Sequence, residues 1–153
     1  MVDVSAKAPT MRVAEASGAV VMRPATLDLI RAAALPKGDV LTVARIAGIQ
    51  AAKRTAELVP LCHPVPLTDL EVTCTPEDGL PGIRVTAVAR CVGPTGVEME
   101  AMCAVSVACL TIYDMAKAVD REMVLTDVRL DRKAGGRGGE WRRPGIDGTE
   151  GGR

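Results

Sequence analysis

The chain has 153 residues, a length typical of one domain, and its 19 Lys and Arg residues balance its 19 Asp and Glu residues. A net charge of zero argues against nucleic acid or a membrane surface as partner, so an anionic ligand would need a local cluster of basic side chains. Phe is absent, with one Tyr and one Trp, which argues against a base-stacking RNA-binding sheet.

The cysteines give a second set of exclusions. The five cysteines form no CxxC pair and have no metal-ligand spacing, and no signal peptide precedes them. No apolar run reaches the roughly 18 charge-free residues of a membrane span. We therefore expect free thiols in a reducing cytoplasm, no membrane partner, no metal and no cofactor.

The N-terminal third begins with basic residues and continues with short elements. Lys7 and Arg12 are candidate anion ligands, with a flexible basic N-terminus as the alternative. Residues 19–22 form an apolar run that fits a buried strand. Thr26 can cap a short helix over residues 27–34, which stops before Pro36.

A second helix is predicted from Asp39, as N-cap, to about residue 58. Lys37 lies on a glycine turn just before that N-terminus, a position suited to phosphate because backbone N–H groups also point there. Lys53 adds positive charge farther along the helix, where a solvated face is the alternative.

His63 is the only histidine, and it lies in a rigid proline-rich segment, residues 60–66. A lone histidine is more often structural than catalytic, but imidazole is the side chain best suited to proton transfer near neutral pH. Cys62 cannot form a Cys-His dyad with it, because neighbouring side chains in an extended chain point to opposite sides.

Three strands follow from alternation of apolar and polar residues. Residues 69–75 and 83–92 alternate on either side of a GLPG turn and predict a hairpin. Residues 124–131 predict a last strand with Val128 and Leu130 facing inward.

Between the hairpin and the last strand, residues 93–123 predict one long helix. Thr95 and Glu98 have the spacing of a capping box at its start. One stripe is apolar, and a neighbouring row of small residues would let another backbone approach closely. Because the helix is apolar on nearly every side, we expect a neighbouring subunit to cover part of it.

The polar face of this helix carries Asp114 and Lys117, three residues apart. An ordinary surface ion pair, with about 0.2–0.5 kcal/mol, is the simpler interpretation. The apolar turns before the pair suggest partial burial, which would shift the pKa values towards catalytic use.

The element order predicts an α+β fold, a ferredoxin-like βαββαβ sandwich with helices on one face of an antiparallel sheet. Residues 1–136 form the single predicted domain, and residues 137–153 a Gly/Arg-rich flexible C-terminal tail. The arginines of this tail could reach a phosphate, although a solubilising role is the alternative. Both helices carry apolar surface that must be buried, and the sheet face without helices is half apolar. We therefore expect self-association.

No P-loop, Rossmann glycine fingerprint or nucleophile elbow is present in the sequence. What remains is metal-free general acid-base chemistry on a phosphorylated small molecule. The rival hypothesis is a non-catalytic ferredoxin-like module that binds a small ligand at a dimer seam, since this fold hosts many functions.

Several motifs resemble one family. GVEMEAM at 96–102, followed by LTIYDMAKAVD at 110–120, is similar to the cyclic pyranopterin monophosphate synthase family of molybdenum cofactor biosynthesis. MVDVSAK at 1–7, KGDV with ARIAGIQAAKRT across 37–55, and PLCHP at 60–64 carry the same resemblance. It implies a cytoplasmic lyase that converts a cyclised dihydro-GTP into cyclic pyranopterin monophosphate and pyrophosphate, and a homohexamer built as a trimer of dimers.

The resemblance also implies site residues. Asp114 matches the catalytic acid-base residue and Lys117 its catalytic partner, while Lys37 and His63 match residues of the same pocket. Further matching residues imply substrate binding: Leu61, Cys62, His63, Met99 and Glu100, with Arg12 and Lys53 as phosphate ligands.

The predicted helix separates these residues. At a rise of 1.5 Å per residue, positions 100 and 114 of one straight helix lie about 21 Å apart. They can contact one small substrate only if two subunits contribute them, so we expect an active site at a subunit interface.

Overall fold

The computed structural model describes residues 1–145, which form nine elements. The strands are β1 (Thr10–Val21), β2 (Leu67–Glu77), β3 (Gly82–Gly93), β4 (Val124–Ala134) and β5 (Trp141–Arg142). The helices are α1 (Pro24–Arg31), α2 (Val40–Lys53), α3 (Thr55–Leu58) and α4 (Glu98–Ala116).

The strands form one antiparallel sheet in the order β2-β3-β1-β4-β5. The first four strands have the split arrangement of a ferredoxin-like βαββαβ unit, in which β1 lies between β3 and β4. The predicted fold class is therefore confirmed, with β5 added at one edge. The hairpin of β2 and β3 is also confirmed, with each strand longer than its prediction.

The core lies between the sheet and the helices. Alternate residues of β3 face it, from Ile83 to Cys91, and all are essentially inaccessible to solvent. α4 crosses β1, β3 and β4, while α2 packs beside α4 and over β2. Val128 and Leu130 of β4 pack against this core, in agreement with their predicted inward direction.

The row of small residues on α4 is covered within the same chain. A Cβ atom on Gly48 of α2 would lie 2.8 Å from the carbonyl oxygen of Ala104, so glycine is what allows the two backbones to approach. The neighbour at this face is therefore α2 rather than another subunit. α4 is long and apolar enough to cross a membrane by length and composition alone, but half of it is buried in this packing.

The predicted capping box at the start of α4 is wrong. The helix begins at Glu98 with Val97 as N-cap and no side-chain cap. Glu98 instead pairs with Lys133 of β4, whose Nζ lies 3.0 Å from its Oε1. Thr26 likewise does not cap α1, which begins at Pro24, because its hydroxyl donates to Asp120.

α4 also ends earlier than predicted, at Ala116 instead of residue 123. The chain turns away at this point, and the turn is fixed by the buried carboxylate of Asp120. That carboxylate accepts hydrogen bonds from the backbone N–H of Arg23, at 2.9 Å, and from the hydroxyl of Thr26, at 3.0 Å. It thereby ties the end of α4 to the start of α1.

The second predicted helix begins as expected and is then interrupted. Asp39 is the N-cap of α2 and accepts from the backbone N–H of Thr42 at 3.0 Å. α2 ends at Lys53, and the single turn α3 follows after Arg54, whose φ of −117° breaks the helix. The prediction of one helix to residue 58 therefore covers two elements.

The sheet extends at both ends of the chain beyond the predicted strands. β1 begins nine residues before the predicted strand at 19–22, and β4 continues to Ala134. β5 lies inside the predicted tail, with Trp141 opposite Lys133 and the guanidinium of Arg143 over the indole ring at 5.7 Å. The last part of that predicted tail, residues 146–153, lies outside the described residues, and the division into domain and tail stays a prediction.

Candidate active site

Two lysines hold Asp114 at the C-terminal end of α4. Nζ of Lys117, the C-cap residue, lies 2.6 Å from Oδ1, and Nζ of Lys37, in the turn before α2, lies 2.5 Å from Oδ2. Lys37 also donates to the backbone carbonyl of Asp114, at 3.2 Å. The three side chains form a cluster whose net charge is positive, and about half of each is exposed.

This pairing lowers the pKa of Asp114 to about 2, first through the hydrogen bond from Lys117 and then through that from Lys37. Burial acts weakly in the opposite direction, so the shift does not arise from the partial burial that the sequence suggested. Asp114 is therefore ionised at neutral pH, and its charge keeps two ammonium groups together at the surface.

A cavity of about 400 Å³ lies at the other end of α4. It brings together the PLCHP loop and the first turn of the helix. All five residues that the resemblance assigned to substrate binding line it: Leu61, Cys62, His63, Met99 and Glu100.

Glu100 is the buried carboxyl group of this cavity, with 4% of its surface exposed. Burial raises its pKa, and the nearby charge of Glu98 acts in the same direction. Burial also raises the pKa of the Cys62 thiol, with a further contribution from Glu100. Cys62 is thus a protonated thiol at neutral pH and not a nucleophile.

The ion pair of Glu98 and Lys133 lines this cavity and also a larger one, of about 630 Å³. Sequence reasoning missed both residues as site residues, because Glu98 has the spacing of a helix cap and Lys133 lies at the end of the predicted domain, with no motif around it. Arg12 lines the larger cavity and donates to the carbonyl groups of Gly93, at 3.3 Å, and Pro94, at 3.2 Å.

Lys53 lies apart from both cavities. It lines a small cavity of about 170 Å³ whose other lining residues include Val65 and Glu100. Because Val65 and Glu100 line both this cavity and the 400 Å³ cavity, Lys53 lies near the predicted site but not in the same cavity.

The predicted site residues therefore fall into two groups within one chain. Lys37, Asp114 and Lys117 lie at the C-terminal end of α4, whereas His63 and the other cavity residues lie at its N-terminal end. Because positions 100 and 114 lie on the same helix, about 21 Å of helix rise separates them. Lys37 and His63 do not share a pocket within one chain, so their common pocket stays a prediction that requires two subunits.

Within residues 1–145, no group of three or more His, Cys, Asp or Glu side chains is arranged to hold a metal ion. The chemistry that the described side chains offer is proton transfer and charge stabilisation by ammonium groups.

Comparison with known proteins identifies one family, through a family model and through several similar proteins. The MoaC family model matches residues 1–136. A cyclic pyranopterin monophosphate synthase of Methylobacterium sp. (strain 4-46) is 62% identical over 141 residues, which cover 92% of this chain and 88% of that protein. A protein of the same name from Chloroflexus aurantiacus is 58% identical over 144 residues, with 94% and 88% covered. Cyclic pyranopterin monophosphate synthase 3 of Mycobacterium bovis is 57% identical over 147 residues, with 96% and 82% covered.

Proposed function

The chain belongs to the MoaC family, and on this basis we propose that it is a cyclic pyranopterin monophosphate synthase of molybdenum cofactor biosynthesis. The proposed reaction converts (8S)-3',8-cyclo-7,8-dihydroguanosine 5'-triphosphate into cyclic pyranopterin monophosphate and pyrophosphate. The enzyme is a lyase that uses general acid-base catalysis, without a metal ion, and it acts in the cytoplasm.

The observation that carries this proposal is the contact of one carboxylate with two ammonium groups, on residues that the family resemblance assigns to catalysis. Lys37 and Lys117 approach Asp114 from separate segments of the chain, at 2.5 and 2.6 Å. An acid-base reaction on a triphosphate needs both parts of this arrangement, a proton acceptor and cations that stabilise the developing phosphate charge.

Substrate binding would change the basicity of Asp114. In the free protein its pKa of about 2 makes it a weak base. Phosphate oxygens compete with the carboxylate for the lysine ammonium groups, and each ion pair that moves to phosphate returns the Asp114 pKa towards its ordinary value. The carboxylate thus becomes an effective proton acceptor only when the substrate is in place.

The cavity at the N-terminal end of α4 would hold the base and sugar. Its volume of about 400 Å³ lies within the range of small-molecule sites, roughly 300–1,000 Å³. Glu100 offers its carboxyl oxygens as acceptors to the donor groups of a purine ring, and burial raises the pKa of this carboxyl group above that of an exposed one. His63 lines the same cavity, and we propose that it exchanges a proton with the bound nucleoside.

We place the complete active site between two subunits of a hexamer, a trimer of dimers. The distance along α4 prevents one chain from presenting both groups to a single substrate. Apolar side chains remain exposed on α4, with Leu110 at 57%, and such a face favours association with another copy.

The test is pyrophosphate release from the cyclised dihydro-GTP by the wild type and by Lys117→Ala. We expect at least about a hundredfold loss in the variant, the order expected for an acid-base group. Arg121→Ala is the matched control, because Arg121 is an exposed basic residue four positions after Lys117 in the chain, outside the cluster.

Circular dichroism and size-exclusion chromatography would establish that each variant is folded and assembled. If the wild type binds the nucleotide and releases no pyrophosphate, the protein is a non-catalytic binding module and Asp114–Lys117 is an ordinary ion pair. If Arg121→Ala loses as much activity as Lys117→Ala, the assignment of Lys117 is wrong.

A further inference from the structure

The buried carboxylate of Asp120 lies in the turn that follows α4, three residues after Lys117. We propose that Asp120 is a positioning residue for the cluster at Asp114, because it holds together the two segments that carry Lys117 and Lys37. The catalytic part of this inference rests on the proposed function. Its physical part, the placement of two ammonium groups, can be tested without turnover.

Asp120 is buried as a charged group, with 1% of its surface exposed. Burial acts to raise its pKa, but hydrogen bonds, first that from the backbone N–H of Arg23, outweigh burial and lower it. Oδ2 accepts from that N–H at 2.9 Å and from the hydroxyl of Thr26 at 3.0 Å, and Oδ1 accepts from the backbone N–H of Glu122 at 3.2 Å. The group is therefore an ionised carboxylate at neutral pH.

These hydrogen bonds join two segments of the chain. Arg23 and Thr26 lie at the start of α1, whereas Asp120 and Glu122 follow α4. The guanidinium of Arg23 adds a second connection, since its Nε lies 3.3 Å from Oδ1 of Asp120 and its Nη2 donates to the backbone carbonyl of Val119. The start of α1 is thus bound to the turn after α4 through both side chains and backbone.

On the α4 side, this connection acts on Lys117. Lys117 is the C-cap of α4, and the turn after it closes where the backbone N–H groups of Val119 and Asp120 donate to the carbonyl of Ala116, at 2.9 and 3.1 Å. Lys117 therefore lies inside a turn whose far end is fixed by the buried carboxylate. From this turn its Nζ lies 2.6 Å from Oδ1 of Asp114.

On the α1 side, the same connection acts on Lys37, which lies between α1 and α2. Ile30, at the end of α1, and Leu35, just before Lys37, are both buried in the core, so this segment moves with α1. A displacement of α1 would therefore move the Lys37 ammonium, which now lies 2.5 Å from Oδ2 of Asp114. One buried carboxylate thus sets the positions of both lysines.

The direct test is acylation of lysines by a succinimidyl ester, quantified by peptide mass spectrometry, in the wild type and Asp120→Asn. Asparagine keeps the size of the side chain, but its NH₂ group cannot accept the hydrogen bonds that one carboxylate oxygen now receives. We expect labelling of Lys117 and Lys37 to rise about two- to fivefold, the range expected for loss of an exposed ion pair.

Lys53 is the internal reference for that measurement, because it lies outside the cluster, in a separate cavity. Circular dichroism would establish that Asp120→Asn is folded. If labelling of Lys117 and Lys37 relative to Lys53 is the same in the folded variant as in the wild type, the proposal is overturned.

Thr26→Val and Thr26→Ser form a matched pair that tests the same connection even where Asp120→Asn folds poorly. Valine has the shape of threonine and lacks the hydroxyl group that donates to Asp120, whereas serine retains it. Thr26→Val should raise labelling of the two lysines by a smaller factor than Asp120→Asn, and Thr26→Ser should match the wild type. Equal labelling in the two Thr26 variants would contradict the proposal.

A destabilised control separates positioning from a general loss of stability. Val72 is buried on β2 and packs beside Gly48 of α2, outside the cluster. Val72→Ala should lower Tm, because it leaves a cavity in the core, and should leave lysine labelling unchanged. If Val72→Ala raises labelling of the two lysines as much as Asp120→Asn does at an equal loss of Tm, Asp120 has only a structural role.

Turnover separates this inference from the proposed function. With the cyclised nucleotide we expect Asp120→Asn to lower kcat about tenfold, because both lysines remain but are misplaced. If the wild type turns over and Asp120→Asn matches it in kcat and in lysine labelling, the positioning role is wrong and the enzyme stands. Higher labelling with an unchanged kcat would overturn the catalytic part of the inference. If the wild type releases no pyrophosphate but Asp120→Asn raises labelling, the positioning stands and the proposed reaction is wrong.

Discussion

Glu100 and Asp114 are two carboxyl groups on the same helix, and their surroundings shift their pKa values in opposite directions. At the N-terminal end of α4, burial raises the pKa of Glu100. At the C-terminal end, hydrogen bonds from Lys117 and Lys37 lower the pKa of Asp114 to about 2. The surroundings at one end of the helix thus oppose ionisation of a carboxyl group, and those at the other end favour it.

The contrast shows which physical effect dominates at each end. The helix dipole alone would favour a negative charge in the first turn and disfavour one near the last turn, by roughly 0.3–1 kcal/mol. Both observed shifts have the opposite sign. Desolvation of Glu100 and ion pairing of Asp114 therefore outweigh the dipole, and the tertiary surroundings set the charge of each group.

The largest expected effect on activity is that of neutralising Asp114, and the matched comparison is neutralising Glu100. Asp114→Asn should lower pyrophosphate release at least about a hundredfold, because it removes both the proton acceptor and the charge that holds two lysines. Glu100→Gln should cost less than about tenfold, since glutamine has the shape and hydrogen bonds of a neutral carboxyl group. The measurement is kcat of both variants with the cyclised nucleotide.

Near-UV circular dichroism and gel filtration provide the control for correct folding in both variants. Equal losses in the two variants would show that Glu100 acts as an anion, and would remove the functional distinction between the two ends of α4.

Mixing subunits tests whether the two ends belong to one site. His63→Ala and Lys117→Ala change opposite ends of α4, and each should be inactive alone. After the two variants are unfolded together and refolded, half of the dimers are mixed, and each mixed dimer contains one intact site. The mixture should recover about a quarter of wild-type activity, as two-fold symmetry requires.

Refolding each variant alone is the matched control for that mixture. A mixture no more active than its components would place both groups of residues in separate sites of one chain, and would contradict the interface proposal.

The smallest effect concerns stability and its dependence on pH. A carboxyl group whose folded pKa is raised costs stability as pH rises above its ordinary value of 4.5, because the folded state resists ionisation. Glu100→Gln should therefore gain stability relative to the wild type between pH 4 and pH 7. A gain of about 1 kcal/mol would raise Tm by roughly 2–4 °C in a domain of this size.

Asp114→Asn should show the opposite trend. Its folded pKa is depressed from 3.8 to about 2, so the wild-type carboxylate stabilises the fold above pH 4 and loses that contribution as pH falls to about 2. Thermal unfolding at several pH values measures both trends. Parallel Tm profiles for the wild type and both variants would contradict the assigned shifts.

Elements with strong local signals were predictable from the sequence. Asp39 was identified as an N-cap because it follows a glycine turn and precedes a helical segment, and its carboxylate does accept from the backbone N–H of Thr42. The hairpin of β2 and β3 followed from alternation and a glycine turn, and the helical stripe through Val105, Cys109 and Ile112 is fully buried, as its spacing predicts.

The errors arose where a distant residue decides the local structure. Glu98 does not close a capping box because Lys133, in β4, takes its carboxylate. α4 stops at Ala116 because Asp120 bonds to Arg23 and Thr26, at the start of α1. The first part of β1, with Ala14, Ala16 and Gly18 among polar residues, gave no strand signal, because that strand is stabilised by pairing on both sides, with β3 and β4.

In the candidate site, too, local sequence predicted some contacts, and tertiary packing decides the others. The Asp114–Lys117 pair could be read from its spacing, whereas the contact of Lys37 with Asp114 joins residues 77 positions apart. The cavity formed by the PLCHP loop and the start of α4 depends on the packing of the whole sheet. The family resemblance supplied its residues, but no local pattern predicts the contribution of Lys133 or of the loop that carries Arg137.

The pairing of β5 with β4 gives the protein a natural optical reporter. Trp141 is the only tryptophan of the chain, is 39% exposed, and lies opposite Lys133 with Arg143 over its ring. It ends the loop that carries Arg137. Its fluorescence therefore reports on the loop between β4 and β5, so tryptophan emission can follow changes in that loop without any added label.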